Sequence, residues 1–294
     1  MLLLAALIWG TAFVAQSKAM DYIRPLTANG IRTLLGGLVL LPLIPMFDRM
    51  KYGANGLTPQ RRKELNRNSI RAGFFCALCL FSAGTIQQYG LMYTTAGKSG
   101  FITALYIIIV PICGIFIKKK VPVRVWFCVL LALLGFWLLC VKEGMSINIG
   151  DILTLICAFC YTAHILTIDH FNHQDTDGVR IACTQFLIAG GVSIILMFIF
   201  DHPSFAAIWD AKWVIIYAGV FSCSIAYTFQ ILGQRYTDPT IATLIMSLES
   251  VFAALSGWLI LGETLSGKEF LGCVLVFIAV IFAQIPLRLP SKAR

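Results

Sequence analysis

Apolar and polar positions fall in long blocks along this chain: about ten uncharged apolar stretches, each on the order of 20 residues, alternate with short polar connections. A helix rises about 1.5 Å per residue, so some 20 apolar residues cross the roughly 30 Å hydrocarbon layer of a bilayer. The blocks predict membrane helices over Leu2–Gln16, Thr27–Phe47, Ala72–Tyr93, Ser99–Ile117, Val125–Val141, Ile152–Ile168, Ile181–Phe200, Trp213–Gln234, Ile241–Leu261 and Phe270–Leu287. Ten spans would use roughly 200 of the 294 residues and leave no separate soluble domain. The first block has no basic lead before it, which predicts a retained helix in preference to a cleaved signal.

Composition agrees, with 59% hydrophobic and 13% charged residues against about 45–50% and about 25% in soluble domains. The net charge of +9 points to the bilayer and its anionic headgroups, with no nucleic acid expected, because the basic residues are sorted by connection. With the N-terminus cytoplasmic, sixteen fall in inside connections (Arg49, Lys51, Arg61, Arg62, Lys63, Arg67, Arg71, Lys118, Lys119, Lys120, Arg124, Arg180, Arg235, Arg288, Lys292, Arg294). Six fall outside (Lys18, Arg24, Lys98, Lys142, Lys212, Lys268) and Arg32 lies within a span. That asymmetry predicts N-in and C-in. All ten cysteines lie within or at the edge of spans, including Cys76 with Cys79 and Cys157 with Cys160; small soft side chains on one helix face serve packing, and no disulfide framework is expected.

The chain also carries an internal echo. At an offset of 143, Gln87 meets Gln230, Gly90 meets Gly233, Tyr93 meets Tyr236, Leu105 meets Leu248 and Gly114 meets Gly257, among nine identities in an ungapped window of 41. Apolar composition alone would give about half as many. Five spans per copy is an odd number, so the second copy enters the membrane from the opposite side. The expectation is an all-α membrane protein of ten transmembrane helices in two inverted five-helix repeats, residues 1–143 and 144–294, the arrangement of many secondary transporters.

The run Ser247-Leu248-Glu249-Ser250-Val251-Phe252-Ala253-Ala254, followed by Gly257-Trp258-Leu259 and Leu261-Gly262-Glu263, resembles the signature of the EamA branch of the drug/metabolite transporter superfamily. Ala6-Leu7-Ile8-Trp9-Gly10-Thr11 and Ile31-Arg32 resemble it too. The likeness covers essentially the whole chain. It implies a ten-helix, two-repeat carrier of the bacterial plasma membrane, often an exporter of amino acids or related metabolites, with a cavity lined by spans one, three, four, six, eight and nine. Ser250 stands where the family often has Pro, and Lys118-Lys119-Lys120 replaces the Gly-Glu element in the first copy.

Polar side chains at membrane depth face a protein interior or a wet cavity. On that basis Tyr106, Glu249, Gln88, Tyr161, Gln230, Ser247, Thr103, His164 and Trp9 are the candidate substrate contacts. Tyr106 and Glu249 are related by the repeat offset and head the set; Glu249, about nine residues into its span, is also a candidate proton carrier. Each has a plainer use, since Ser, Thr and Gln often hydrogen-bond neighbouring helices, and His164 reads better as a core histidine. Arg32, near the start of its span, is expected to reach the outer interface. The segment DHFNHQDTD (169–177) has metal-compatible spacings, but exposed polar loops produce these readily, and neither a metal nor a cofactor is expected.

Phosphate-binding GxxxxGK[ST] loops, HExxH pairs and GxSxG elbows are absent. A secondary carrier for a small molecule is therefore favoured over an enzyme. A nucleotide-sugar or sugar-phosphate carrier would need a cluster of cavity cations, and a non-transporting scaffold would pack its polar belt dry.

Overall fold

In hydrocarbon every backbone polar group needs an internal partner, so spans of this kind must be helices. The computed structural model describes residues 1–53, 57–94, 96–116, 121–140, 147–261 and 266–284, and these contain helices and no strand. The helices are α1 (Leu2–Ala19), α2 (Pro25–Leu40), α3 (Leu43–Tyr52), α4 (Pro59–Leu91), α5 (Ala96–Ala104), α6 (Tyr106–Phe116), α7 (Val123–Cys140) and α8 (Ile149–Asn172). They continue with α9 (Gly178–Leu196), α10 (Phe205–Asp210), α11 (Lys212–Tyr217), α12 (Tyr227–Gln234), α13 (Pro239–Met246), α14 (Leu248–Leu261) and α15 (Gly267–Gln284). Six helical stretches are long and apolar enough to cross a bilayer, and a seventh is added if α2 and α3 count as one bent span. Ten spans would require the shorter apolar helices Leu2–Gln16 and Val123–Leu138, and α15, to cross as well.

Several expected spans are interrupted. The second bends by 41° between α2 and α3, at Leu41-Pro42. The fourth breaks at Leu105 and the ninth at Ser247, where the hydroxyl donates back to the Leu244 carbonyl at 2.7 Å and competes with the helical ladder. The eighth is wound as a π-helix over Ala218–Ala226, a form frequent at functional sites. The third starts earlier than Ala72, at Pro59, because Thr58 caps it by accepting the Arg61 N–H at 3.3 Å.

Glycines set the closest crossings. A Cβ at Gly37 would lie 2.9 Å from the Leu187 nitrogen, and one at Gly190 would lie 2.5 Å from the Leu34 nitrogen. Both contacts join α2 to α9, and they are reciprocal, since a shift of 153 carries Gly37 to Gly190 and Leu34 to Leu187. Backbone cannot retreat as a flexible side chain can. Gly190→Ala is therefore expected to cost roughly 1–3 kcal/mol, read as a lower midpoint of thermal unfolding in detergent, while Gly191→Ala, with nothing within 4 Å, should leave it unchanged. Gly233 faces the Leu2 side chain and Gly90 faces Thr154 and the Gly150 carbonyl, so both repeat-related glycines also sit at contacts.

Polar clusters tie the two ends of the bundle. At one end Arg180 makes a bidentate pair with Asp48 (2.8 and 2.7 Å), donates through Nε to Asn66 (2.6 Å) and lies 3.5 Å from Asp177, which also pairs with Lys51. Beside them Asp175 accepts from Arg61 at 2.6 Å, and that guanidinium holds its carboxyl below the ordinary carboxylate range. Within segment 169–177, Asp175 and Asp177 are drawn into ion pairs, Asp177 also caps α9, and His170 bonds Gln174; among the described residues no group of three or more His, Cys, Asp or Glu is placed to hold a metal ion. At the opposite end Asp201 accepts from the Thr27 N–H and hydroxyl (2.7 and 2.8 Å), and Asp151 pairs with Lys98. Lys118, Lys119, Lys120, Gly262, Glu263 and the C-terminal Arg288, Lys292 and Arg294 lie outside the described residues.

Candidate functional site

The helix interruptions matter because of where they lie. The two broken helices pack crosswise, α13 on α6 and α14 on α5, and so place Tyr106 and Glu249 face to face. The Tyr106 hydroxyl donates to Glu249 Oε1 at 3.1 Å, with both residues buried. Gly10 of α1 lets this happen closely: a Cβ there would lie 2.7 Å from the Glu249 carbonyl oxygen and 2.5 Å from Phe252 Cβ. Glu249 has no cation within ion-pair distance among the described residues.

Around this pair lies a cavity of about 50 Å³ lined by Trp9, Phe13, Gln16, Arg32, Gln87, Thr103, Tyr106, Tyr161, Ile165, Ser222, Tyr227, Gln230, Met246 and Glu249. Its walls are linked by a relay. Tyr227 donates to Tyr161 (3.4 Å), Tyr161 donates to Gln87 Oε1 (3.1 Å), and Gln87 Nε2 donates to Thr103 (3.2 Å). The Trp9 indole donates to the Ser222 carbonyl at 3.4 Å, and its ring meets Tyr227 edge-on at 4.8 Å. Two polar atoms of the wall are buried without a partner among the described residues, Arg32 Nε and Gln230 Oε1. Buried polar groups left this way are costly unless water or a ligand reaches them.

Six of the nine residues singled out from sequence line the cavity: Trp9, Thr103, Tyr106, Tyr161, Gln230 and Glu249. Three stand back from it. Gln88 donates to Gln16 at 2.7 Å, Ser247 bonds its own helix, and His164 bonds Gln185 at 2.9 Å in the core. Arg32 corrects the expectation of an interfacial side chain: it is 7% exposed and its Nη2 donates inward to Asn29 at 3.0 Å. A helical-wheel signal for Arg32 is present in Asn29, a polar residue one turn away on the same face.

Fold and site define a multi-pass, all-helical membrane protein with a central cavity of mixed polarity, the plan of a transporter. The model of the EamA-like transporter family matches residues 1–141 and again 148–284; the chain belongs to that family. An uncharacterized transporter of Archaeoglobus fulgidus is 31% identical over 293 residues, covering 97% of this chain and 84% of its own. The threonine/homoserine exporter RhtA of Salmonella typhimurium is 29% identical over 192 residues, 60% of each chain. A crystal structure 16% identical in sequence superposes with a TM-score of 0.74, covering 95% of this chain and 96% of its own.

Proposed function

We propose that the protein is a secondary carrier of the bacterial inner membrane that exports small metabolites such as amino acids by alternating access. Ten membrane helices in two inverted repeats, residues 1–143 and 144–294, would enclose the cavity and rock about it. The observation that carries this reading is the cavity itself, walled by two broken helices and holding a buried carboxylate without a cation partner among the described residues. The paired family matches to 1–141 and 148–284 support two repeats. So do the reciprocal contacts of Gly37 with Leu187 and Gly190 with Leu34, and a Tyr106–Glu249 contact between residues one repeat apart. The exporter name of RhtA supports the direction and the solute class.

A non-transporting scaffold fits less well, because its interior would be packed. A nucleotide-sugar or sugar-phosphate carrier also fits less well, since Arg32 is the one cation among the described lining residues. The test is a solute screen in proteoliposomes with and without a proton gradient. Movement of amino acids that a gradient accelerates is expected; an absence of carrier-dependent flux for every solute class overturns the reading.

The N-in orientation has its own check. In a variant stripped of native cysteines, Ile147→Cys is expected to react with an impermeant thiol reagent in intact cells, and Gln174→Cys only after permeabilisation; both positions are exposed. The reverse pattern would invert the topology.

A further inference from the structure

Among the described residues the cavity is lined by one basic and one acidic side chain that do not pair with each other. Arg32 is 7% exposed and Glu249 is 5% exposed; both line the same space, and neither has an oppositely charged partner within 4 Å among the described residues. Each is held from behind by one neutral group, Arg32 by the Asn29 amide oxygen at 3.0 Å and Glu249 by the Tyr106 hydroxyl at 3.1 Å. Arg32 Nε remains without a partner, as does Gln230 Oε1 in the same wall. Asn29 is itself fixed, since its Nδ2 donates to Thr85 and Ser193. A guanidinium anchored on one edge keeps its other N–H groups for a ligand, and its fork matches a carboxylate.

On the carrier reading above, we propose that Arg32 and Glu249 form a two-point subsite for a zwitterion, Arg32 taking the carboxylate and Glu249 the ammonium. A simple acid would satisfy Arg32 and leave Glu249 facing a buried anion; a simple amine would do the reverse. Only a molecule carrying both charges neutralises both walls, and burial makes that discrimination steep, because an uncompensated charge in a desolvated site is strongly unfavourable. Gln230 Oε1, unpartnered on the same cavity, is an acceptor available to the ammonium. The aromatic and apolar wall of Trp9, Phe13, Ile165 and Met246 then receives the substituent between the two charges. Asn29 is a positioning residue for Arg32.

The experiment uses the full-length protein in proteoliposomes with three radiolabelled probes: a mixture of the 20 common L-amino acids, the mixture of their decarboxylated amines, and the mixture of their 2-hydroxy acids. The wild type is expected to carry the amino acids at least tenfold faster than either other mixture. Arg32→Gln should slow amino acids about tenfold and raise amine flux, while Glu249→Gln should slow amino acids and raise hydroxy-acid flux. Such opposite gains cannot come from misfolding. Equal carriage of amines or acids by the wild type, or an unchanged amino-acid rate in Arg32→Gln, overturns the subsite while leaving the carrier intact. Flux of no probe and no other solute overturns the carrier reading and the subsite together.

Discussion

Glu249→Gln is expected to leave the protein inserted and folded, to cut amino-acid flux by about an order of magnitude, and to remove the pH dependence of the flux that remains. The side chain is buried beside Tyr106 with no cation partner among the described residues. On insertion scales a carboxylate at membrane depth carries a penalty of a few kcal/mol, which a proton, water or a ligand relieves. A proton and a substrate ammonium would compete for the same carboxylate, and exclusive occupancy by one or the other is what couples their opposite movements. Glutamine keeps the size and can still accept from Tyr106, but it binds neither proton nor ammonium as a charge. The measurement is initial flux in proteoliposomes across a pH series, with size-exclusion elution as the folding control. An unchanged pH profile excludes a proton role for Glu249, and unchanged substrate affinity in Tyr106→Ala would move the site elsewhere.

The second large effect is expected at the ionic cluster. Asp48→Ala removes the bidentate partner of Arg180, a residue that is 5% exposed. Breaking a buried pair costs about 3–5 kcal/mol because a charge is left behind, which corresponds to a fall on the order of 6–10 °C in the unfolding midpoint. Asp177 at 3.5 Å retains part of the compensation, so the lower half of the range is the expected result. The double variant Asp48→Leu/Arg180→Met removes both charges and should recover most of the loss. If Asp48→Ala shifts the midpoint by less than 2 °C, the cluster is not holding α3 to α9, and its role in the bundle is minor.

Part of this was legible in the chain. Its solvent, its helical content and the list of polar residues at membrane depth follow from apolar runs and composition, and the repeat offset pairs Tyr106 with Glu249. The interruptions at Leu105 and Ser247 were not legible, since neither position carries the Pro or Gly that punctuates a helix locally. The position of Arg32 departs from its sequence expectation for a related reason. Its nearness to the start of a span favours snorkelling when the helix stands alone, and only packing against Asn29 and its partners turns the guanidinium inward.

Asp48 and Arg180, 132 residues apart, belong to different connections in the sequence, and nothing local marks them as partners. The sequence by itself determined depth: which segments enter the bilayer and how far along each a polar group lies, because hydropathy is summed over a local window. The tertiary structure alone decided direction, meaning which face of each helix looks into the cavity and which charges meet or fail to meet there. A helix places its residues at fixed heights but is free to rotate about its own axis. That rotation is fixed by neighbours far away in the chain, through glycine crossings such as Gly10 against Glu249 and Gly190 against Leu34.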